Sequence, residues 1–217
     1  MTTEPEINAE AAVEAPTERK RAYSKPGERR IQILQALAEM LEHPKGERIT
    51  TAALAAKIEV SEAALYRHFA SKAQMFEGLI EFIESTIFGL VNQISAEQPL
   101  EKEGSGLKQA YAMTAMLLKF AEQNRGMTRV LIGDALVGEH ERLQERINGL
   151  YDRIELALKQ ALRIAVTQGA FPPDFDTGAR ANLIVCFVGG KWARFAKSGW
   201  KKLPTDSWDQ QGVALFH

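Results

Sequence analysis

The chain has little of what most enzymes and secreted proteins are built around. Its 217 residues include one cysteine and four histidines. A single cysteine closes no disulfide within the chain, which suits a reducing compartment. That residue, Cys186, lies in the apolar run "LIVCFVGG", where a buried thiol is the expected state. His43, His68, His140 and His217 are scattered without metal-ligand spacing. There is no phosphate-binding glycine loop and no nucleophile motif. No catalytic centre, metal or cofactor is therefore expected. The apolar runs fall short of the ~18–20 residues that a membrane span requires. Residues 1–18 are acidic and lack the apolar core of a signal peptide. A soluble intracellular protein is the expectation. An excess of one charge is missing too, since 27 basic residues face 28 acidic ones for a net charge of −1. Any surface for nucleic acid must then be local.

What is present is helix. No segment sustains the two-residue alternation of a strand, so an all-α fold is expected. Residues 1–24 read as a disordered arm that changes sign along its length. The first eighteen hold five glutamates and two prolines; Arg19, Lys20, Arg21, Lys25, Arg29 and Arg30 then place six positive charges within twelve residues. Such a run is either a solvated linker or an arm that follows a phosphate backbone. A helix is expected from Glu28 to near His43-Pro44, with Ile31, Leu34, Leu37, Ala38 and Leu41 at three- and four-residue steps. A second follows Thr50, and a long one runs from Lys72 to about Ser95. "LKQAYAMTAMLLKFAEQNRG" is expected to end at its glycine, and "MTRVLIGDALVG" to form a short connecting helix or turn. The strongly amphipathic "HERLQERINGLYDRIELALKQALRIAV" carries a coiled-coil-like seam of Leu143, Ile147, Leu150, Ile154, Leu158 and Leu162. A further apolar helix, "ARANLIVCFVGGKWARFAKSG", and a short one after Pro204 close the chain.

Between the second helix and the long one lies "VSEAALYRHFASK", a helix with little apolar surface of its own. Projected at about 100° per residue, Leu65 and Phe69 share one side with Ala64 and His68 beside them, while Ala63, Tyr66 and Arg67 fall opposite. The first set docks on the apolar face of "TTAALAAKI". The second is left for solvent. Two short helices joined by a tight turn, the second showing small and polar groups outward, describe a helix-turn-helix spanning about residues 50–69. Downstream, "SKAQ" forms a capping box with Ser71 as N-cap. Lys72 thereby occupies the first helical position, where its charge opposes the helix dipole by ~0.3–1 kcal/mol. A docked phosphate would make that placement favourable.

The segment "RITTAALAAKIEVSEAALYRHFASKAQMF" resembles the DNA-binding domain of TetR-family regulators, with their Leu-Tyr-x-His-Phe and following Lys. Further segments, "LIEFIE", "MTRVL", "RLQERINGLYDRIE" and the late "PTD", are similar to the nucleoid occlusion branch of that superfamily, over most of residues 28–208. The resemblance implies a three-helix DNA-binding domain over 25–72 and a helical dimerisation and partner-binding body over 73–217. It implies a homodimer that binds palindromic double-stranded DNA and the C-terminal tail of the tubulin-like division protein FtsZ, acting in the cytoplasm on the nucleoid. Thr50 and Thr51 would contact phosphate, and Ser61, Glu62 and Ala63 would enter the groove first. Tyr66, His68 and Lys72 would clamp the backbone, with Arg67 on backbone or base edge. His68 as a packing histidine is the plainer alternative. Phe82, in the wide stripe "GLIEFIE", is a candidate for the FtsZ tail, though core packing suits it as well. Two residues depart from the family pattern: Glu59 stands where glycine is common, so a positive φ is expected there, and Ala70 replaces a proline. Gly189, Gly190, Trp192 and Trp200 are expected at a dimer interface held by the region from about residue 176. A ligand-responsive repressor of the same fold is the rival reading. Met113, Met116, Phe120 and Tyr151 would line its pocket, although their helical spacing favours plain core.

Overall fold

Three serine or threonine caps set the early helices of the computed structural model, which describes residues 26–43, 49–98 and 104–216. The acidic-then-basic arm and His217 lie outside those residues. Helix α1 (Pro26–Leu41) leads into α2 (Thr51–Lys57), whose Ala53 N–H donates to Thr50 Oγ1 at 3.1 Å. Helix α3 (Glu62–Tyr66) is capped in the same way, Ala64 N–H donating to Ser61 Oγ at 3.2 Å. The long α4 (Lys72–Glu97) begins where Gln74 N–H donates to Ser71 Oγ at 3.2 Å. The glutamine of this box reaches one residue further back than expected, Ala70 N–H donating to Gln74 Oε1 at 2.8 Å. The expected domain boundary at residues 72/73 falls at the start of α4, which runs unbroken into the body.

The body continues with α5 (Ser105–Gln123), α6 (Arg125–Leu131), a 3-10 turn at Asp134–Leu136, α7 (Glu141–Thr167), α8 (Thr177–Lys197) and α9 (Trp208–Phe216). Among the described residues there is no strand, so the all-α expectation stands. The seam of α7 is buried at all six expected positions, and α7 packs between α5 and α8. One corrected boundary explains how the N-terminal helices join this body. Gly126 does not terminate α5, which already ends at Gln123; it sits inside α6, against α1. A Cβ there would lie 1.8 Å from the Ala38 carbonyl oxygen, so only glycine permits this approach.

Two further expectations are corrected by the packing. Cys186 is exposed, because α8 turns Ile184, Val185, Val188 and Trp192 toward the core and leaves the thiol outside. Trp192 needs no partner chain to cover it. It is fully buried, and its indole N–H donates to the Leu117 carbonyl at 3.0 Å. Trp200 is half-buried and donates to the Glu42 carbonyl at 3.0 Å. Gly189 is likewise used inside the chain, where a Cβ would touch the Tyr151 ring at 3.5 Å. Met113 and Phe120 are core residues, as plain packing predicts, and Met116 and Tyr151 are half-buried at the edge of that core.

Candidate nucleic-acid interface

Helix α3 is too short to hold itself, so its position depends on two buried side chains. Leu65 and Phe69 are 0% and 1% exposed. Beside Phe69, Gly78 of α4 leaves room: a Cβ there would meet the ring's Cε1 at 2.9 Å. Above it, the Arg30 guanidinium lies 4.2 Å from the ring centroid and donates to the His68 carbonyl at 3.1 Å. Arg30, read from sequence only as part of the basic run, is thus a brace between α1 and the end of α3. Its stacking gave no local signal, since it joins residues 38 positions apart.

With one face so held, the other carries the expected polar set. Ser61, Glu62, Ala63, Tyr66 and Arg67 are all exposed. Thr51 Oγ1 donates to Glu62 Oε2 at 2.6 Å and receives a long bond from the Tyr66 hydroxyl at 3.5 Å. These contacts tie the start of α2 to the face of α3. One carboxylate oxygen of Glu62 stays available, which suits acceptance from a cytosine amine. The Thr50 and Ser61 hydroxyls accept from backbone N–H groups, and each keeps its own proton to donate. Arg67 makes no side-chain hydrogen bond among the described residues. His68 is half-buried. The turn between α2 and α3 has Glu59 at φ 55°, the positive value expected of a residue in glycine's usual place.

Lys72 is not a free cation. Its Nζ pairs with Glu139, in the segment leading into α7, and lies 5.7 Å from the Phe76 ring centroid. Sequence spacing had no way to show this partner. Further along α4, Arg142 pairs with Glu77 at 2.5 Å and Arg146 with Glu84 at 2.9 Å, binding α4 to α7. Phe82 is half-buried on α4, about 140° around the helix from Glu77 and so away from these ion pairs. It is neither fully core nor fully displayed.

The described residues hold no cluster of metal-binding side chains, and none of their helices is long and apolar enough to cross a membrane. The chain matches two family profiles: that of bacterial regulatory proteins of the tetR family over residues 33–79, and that of the SlmA-like, tetracyclin repressor-like C-terminal domain over residues 104–217. The nucleoid occlusion factor SlmA of Idiomarina loihiensis is 49% identical over 183 residues, covering 84% of this chain and 91% of that protein. The nucleoid occlusion factor SlmA of Marinomonas sp. (strain MWYL1) is 46% identical over 192 residues, covering 88% and 95%. Among solved structures, a TetR transcription regulator from Haloarcula marismortui superposes with a TM-score of 0.72 at 14% identity, over 87% of this chain and 96% of that one. The transcriptional regulator FadR from Bacillus subtilis, in complex with stearoyl-CoA, gives 0.69 at 12% identity over 86% and 97%. At such low identity these two establish the shared fold alone. An exposed polar helix braced on a helical body, a tetR-type N-terminal match and near-half identity over most of the chain converge: this chain belongs to the SlmA family of nucleoid occlusion factors, non-enzymatic DNA-binding regulators of the TetR fold.

Proposed function

We propose that a homodimer of this chain binds palindromic chromosomal sites through α3 and holds the C-terminal tail of FtsZ at the same time, so that the division ring does not assemble over the nucleoid. The observation that carries this reading is the division of labour on α3. Leu65 does the packing, while Ser61, Glu62, Ala63, Tyr66 and Arg67 stand in solvent. On this reading Thr50, Thr51, Tyr66, His68 and Lys72 position the duplex through its phosphates, and the front of α3 with Arg67 reads base edges. The protein then works in the cytoplasm, on the nucleoid. Residues 25–72 act as the DNA-binding domain and 73–217 as the dimerisation and partner-binding body.

Support for a dimer comes from the outer faces of α7 and α8. Leu156 is 62% exposed and Leu183 52% exposed, and a 3.0 Å hydrogen bond from Asn182 to Glu155 sets the two helices side by side there. Cys186 and Gly190 extend the same face of α8, and nothing lies near a Cβ built on Gly190. Support for the tail site comes from Phe82, an aromatic side chain only partly covered by its own chain.

The test pairs two affinities on one preparation, with a melting curve as control. Phe82→Ala should abolish binding to an FtsZ-tail peptide while DNA affinity stays within a few-fold. A half-covered phenylalanine should cost about 2 kcal/mol of stability, below the ~3–5 kcal/mol of a fully buried one. Loss of both activities with a large drop in melting temperature would make Phe82 core. A stable wild-type protein with no affinity for the tail would favour the ligand-responsive repressor. One feature supports that second reading: a cleft of about 640 Å³ is lined by Arg129, Ile132, Gln144, Lys197 and Trp200 among others. Arg129 and Trp200 also hold the end of α1, donating to the Leu41, Glu42 and His43 carbonyls at 3.0–3.3 Å.

A further inference from the structure

Several cations of the DNA-binding end are already engaged within the chain. Residues 25–72 contain eight basic side chains against six acidic ones. Lys57 is paired with Glu39 at 3.0 Å, and Arg30 braces Phe69. Lys72 is paired as well, and its partner is a carboxylate of the body 67 residues away. Side-chain exposure is 28% for Lys72 and 16% for Glu139, so water and salt screen the pair less than a surface bridge. Glu139 has no other ion-pair partner among the described residues. Its carboxylate sits beside the first residue of α4, where a lysine alone would oppose the helix dipole. The carboxylate therefore already gives Lys72 an anionic partner within the folded chain.

We infer that Glu139 sets the DNA affinity of this chain by competing, as an internal carboxylate, with a DNA phosphate for Lys72. The inference rests on Lys72 being a phosphate contact, and the experiment below separates the two. Binding then exchanges one charge-assisted contact for another, and Lys72 contributes the difference rather than the whole. Glu139 touches no DNA. It acts through Lys72, and it ties the occupancy of the DNA-binding end to a segment that leads directly into α7.

The experiment titrates a mixed-sequence DNA duplex with the full chain at several salt concentrations, because a phosphate contact is felt on every sequence. The proteins are the wild type, Glu139→Gln, Lys72→Ala, the double variant, and Glu141→Gln, which removes an exposed carboxylate two residues along. Melting curves establish that each is folded. Glu139→Gln should bind about two- to fivefold tighter at low salt, the scale of a partly exposed ion pair, with the gain shrinking as salt rises. Lys72→Ala should weaken binding and flatten its salt dependence by about one released ion. In the Lys72→Ala background, Glu139→Gln should give no more than Glu141→Gln gives alone, so the double-mutant cycle shows coupling. An unchanged or weaker Glu139→Gln beside a weakened Lys72→Ala overturns the competition and leaves the clamp intact. An equal gain with and without Lys72 also overturns it, as general charge removal. A Lys72→Ala variant with unaltered affinity and salt dependence overturns the clamp and the inference together.

Discussion

At the scale of single residues, the tightest test of the helix-turn-helix lies in Glu59. The end of α2 is closed by two bonds, Val60 N–H to the Ala55 carbonyl at 3.0 Å and Glu59 N–H to the Ala56 carbonyl at 3.2 Å. This is the Schellman pattern, which places its C′ residue in the left-handed region that glycine adopts without a Cβ penalty. Glutamate at φ 55° bears that penalty. Glu59→Gly should therefore stabilise the protein by about 0.5–1 kcal/mol, less whatever glycine adds to the freedom of the unfolded chain. A rise of about 1–4 °C in melting midpoint would be the readout. Glu59→Asn, which tolerates the same conformation, should recover part of it. No rise with either variant would mean that the turn carries no such strain.

Among the helices, burial at the α7–α8 contact has a consequence in alkali. Tyr151 of α7 meets the buried Trp192 of α8 edge-on, with ring centroids 5.9 Å apart. Burial penalises its phenolate and pushes its pKa from the ordinary 10.0 up to about 12. The unfolded chain then gives up this proton first, so the contribution to stability is complete below pH 10 and is lost as pH rises toward 12. The loss is at most about 2–3 kcal/mol. Denaturant unfolding of Tyr151→Phe, compared with wild type across that window, should show a flatter decline; parallel declines would contradict it. How far such contacts were legible in the sequence follows from their range. Thr50 and Ser71 announce their helices because a cap acts within three residues, whereas Ser61, read only as a DNA contact, also caps α3. Leu65, Phe69 and the seam of α7 follow from helical period alone. Arg30 over Phe69, Gly126 under Ala38, Lys72 on Glu139 and the outward turn of Cys186 depend on which faces of distant helices meet, and local pattern carries no record of that. Trp192 misled for the same reason: a large aromatic residue near a glycine pair says that it must be covered, and not by which chain.

For the molecule as a whole, the proposed dimer makes the geometry of two DNA-binding ends the decisive quantity. A palindrome is read by two recognition helices held one helical turn of DNA apart, so specific affinity depends on the interface that fixes their separation. Trp192 is fully buried within the single chain, so the proposed interface falls to the exposed Leu156, Leu183, Cys186 and Gly190. Leu156 and Leu183 lie outside the core of the single chain. Replacing both by glutamate should therefore leave its folding nearly unchanged while placing uncompensated carboxylates in a dimer contact, which is strongly unfavourable. Sedimentation should find wild type dimeric at micromolar concentration and the double variant monomeric. Affinity for a palindromic site should fall by more than about tenfold, toward the non-specific level that phosphate contacts alone sustain. Because Phe82 lies on α4 and not on α7 or α8, each monomer should still bind an isolated FtsZ-tail peptide. A double variant that stays dimeric would place the interface elsewhere, and a monomeric wild type would remove the palindrome from the mechanism. If the variant is monomeric yet keeps full specific affinity, one DNA-binding end suffices, and simultaneous binding of DNA and FtsZ needs no second subunit.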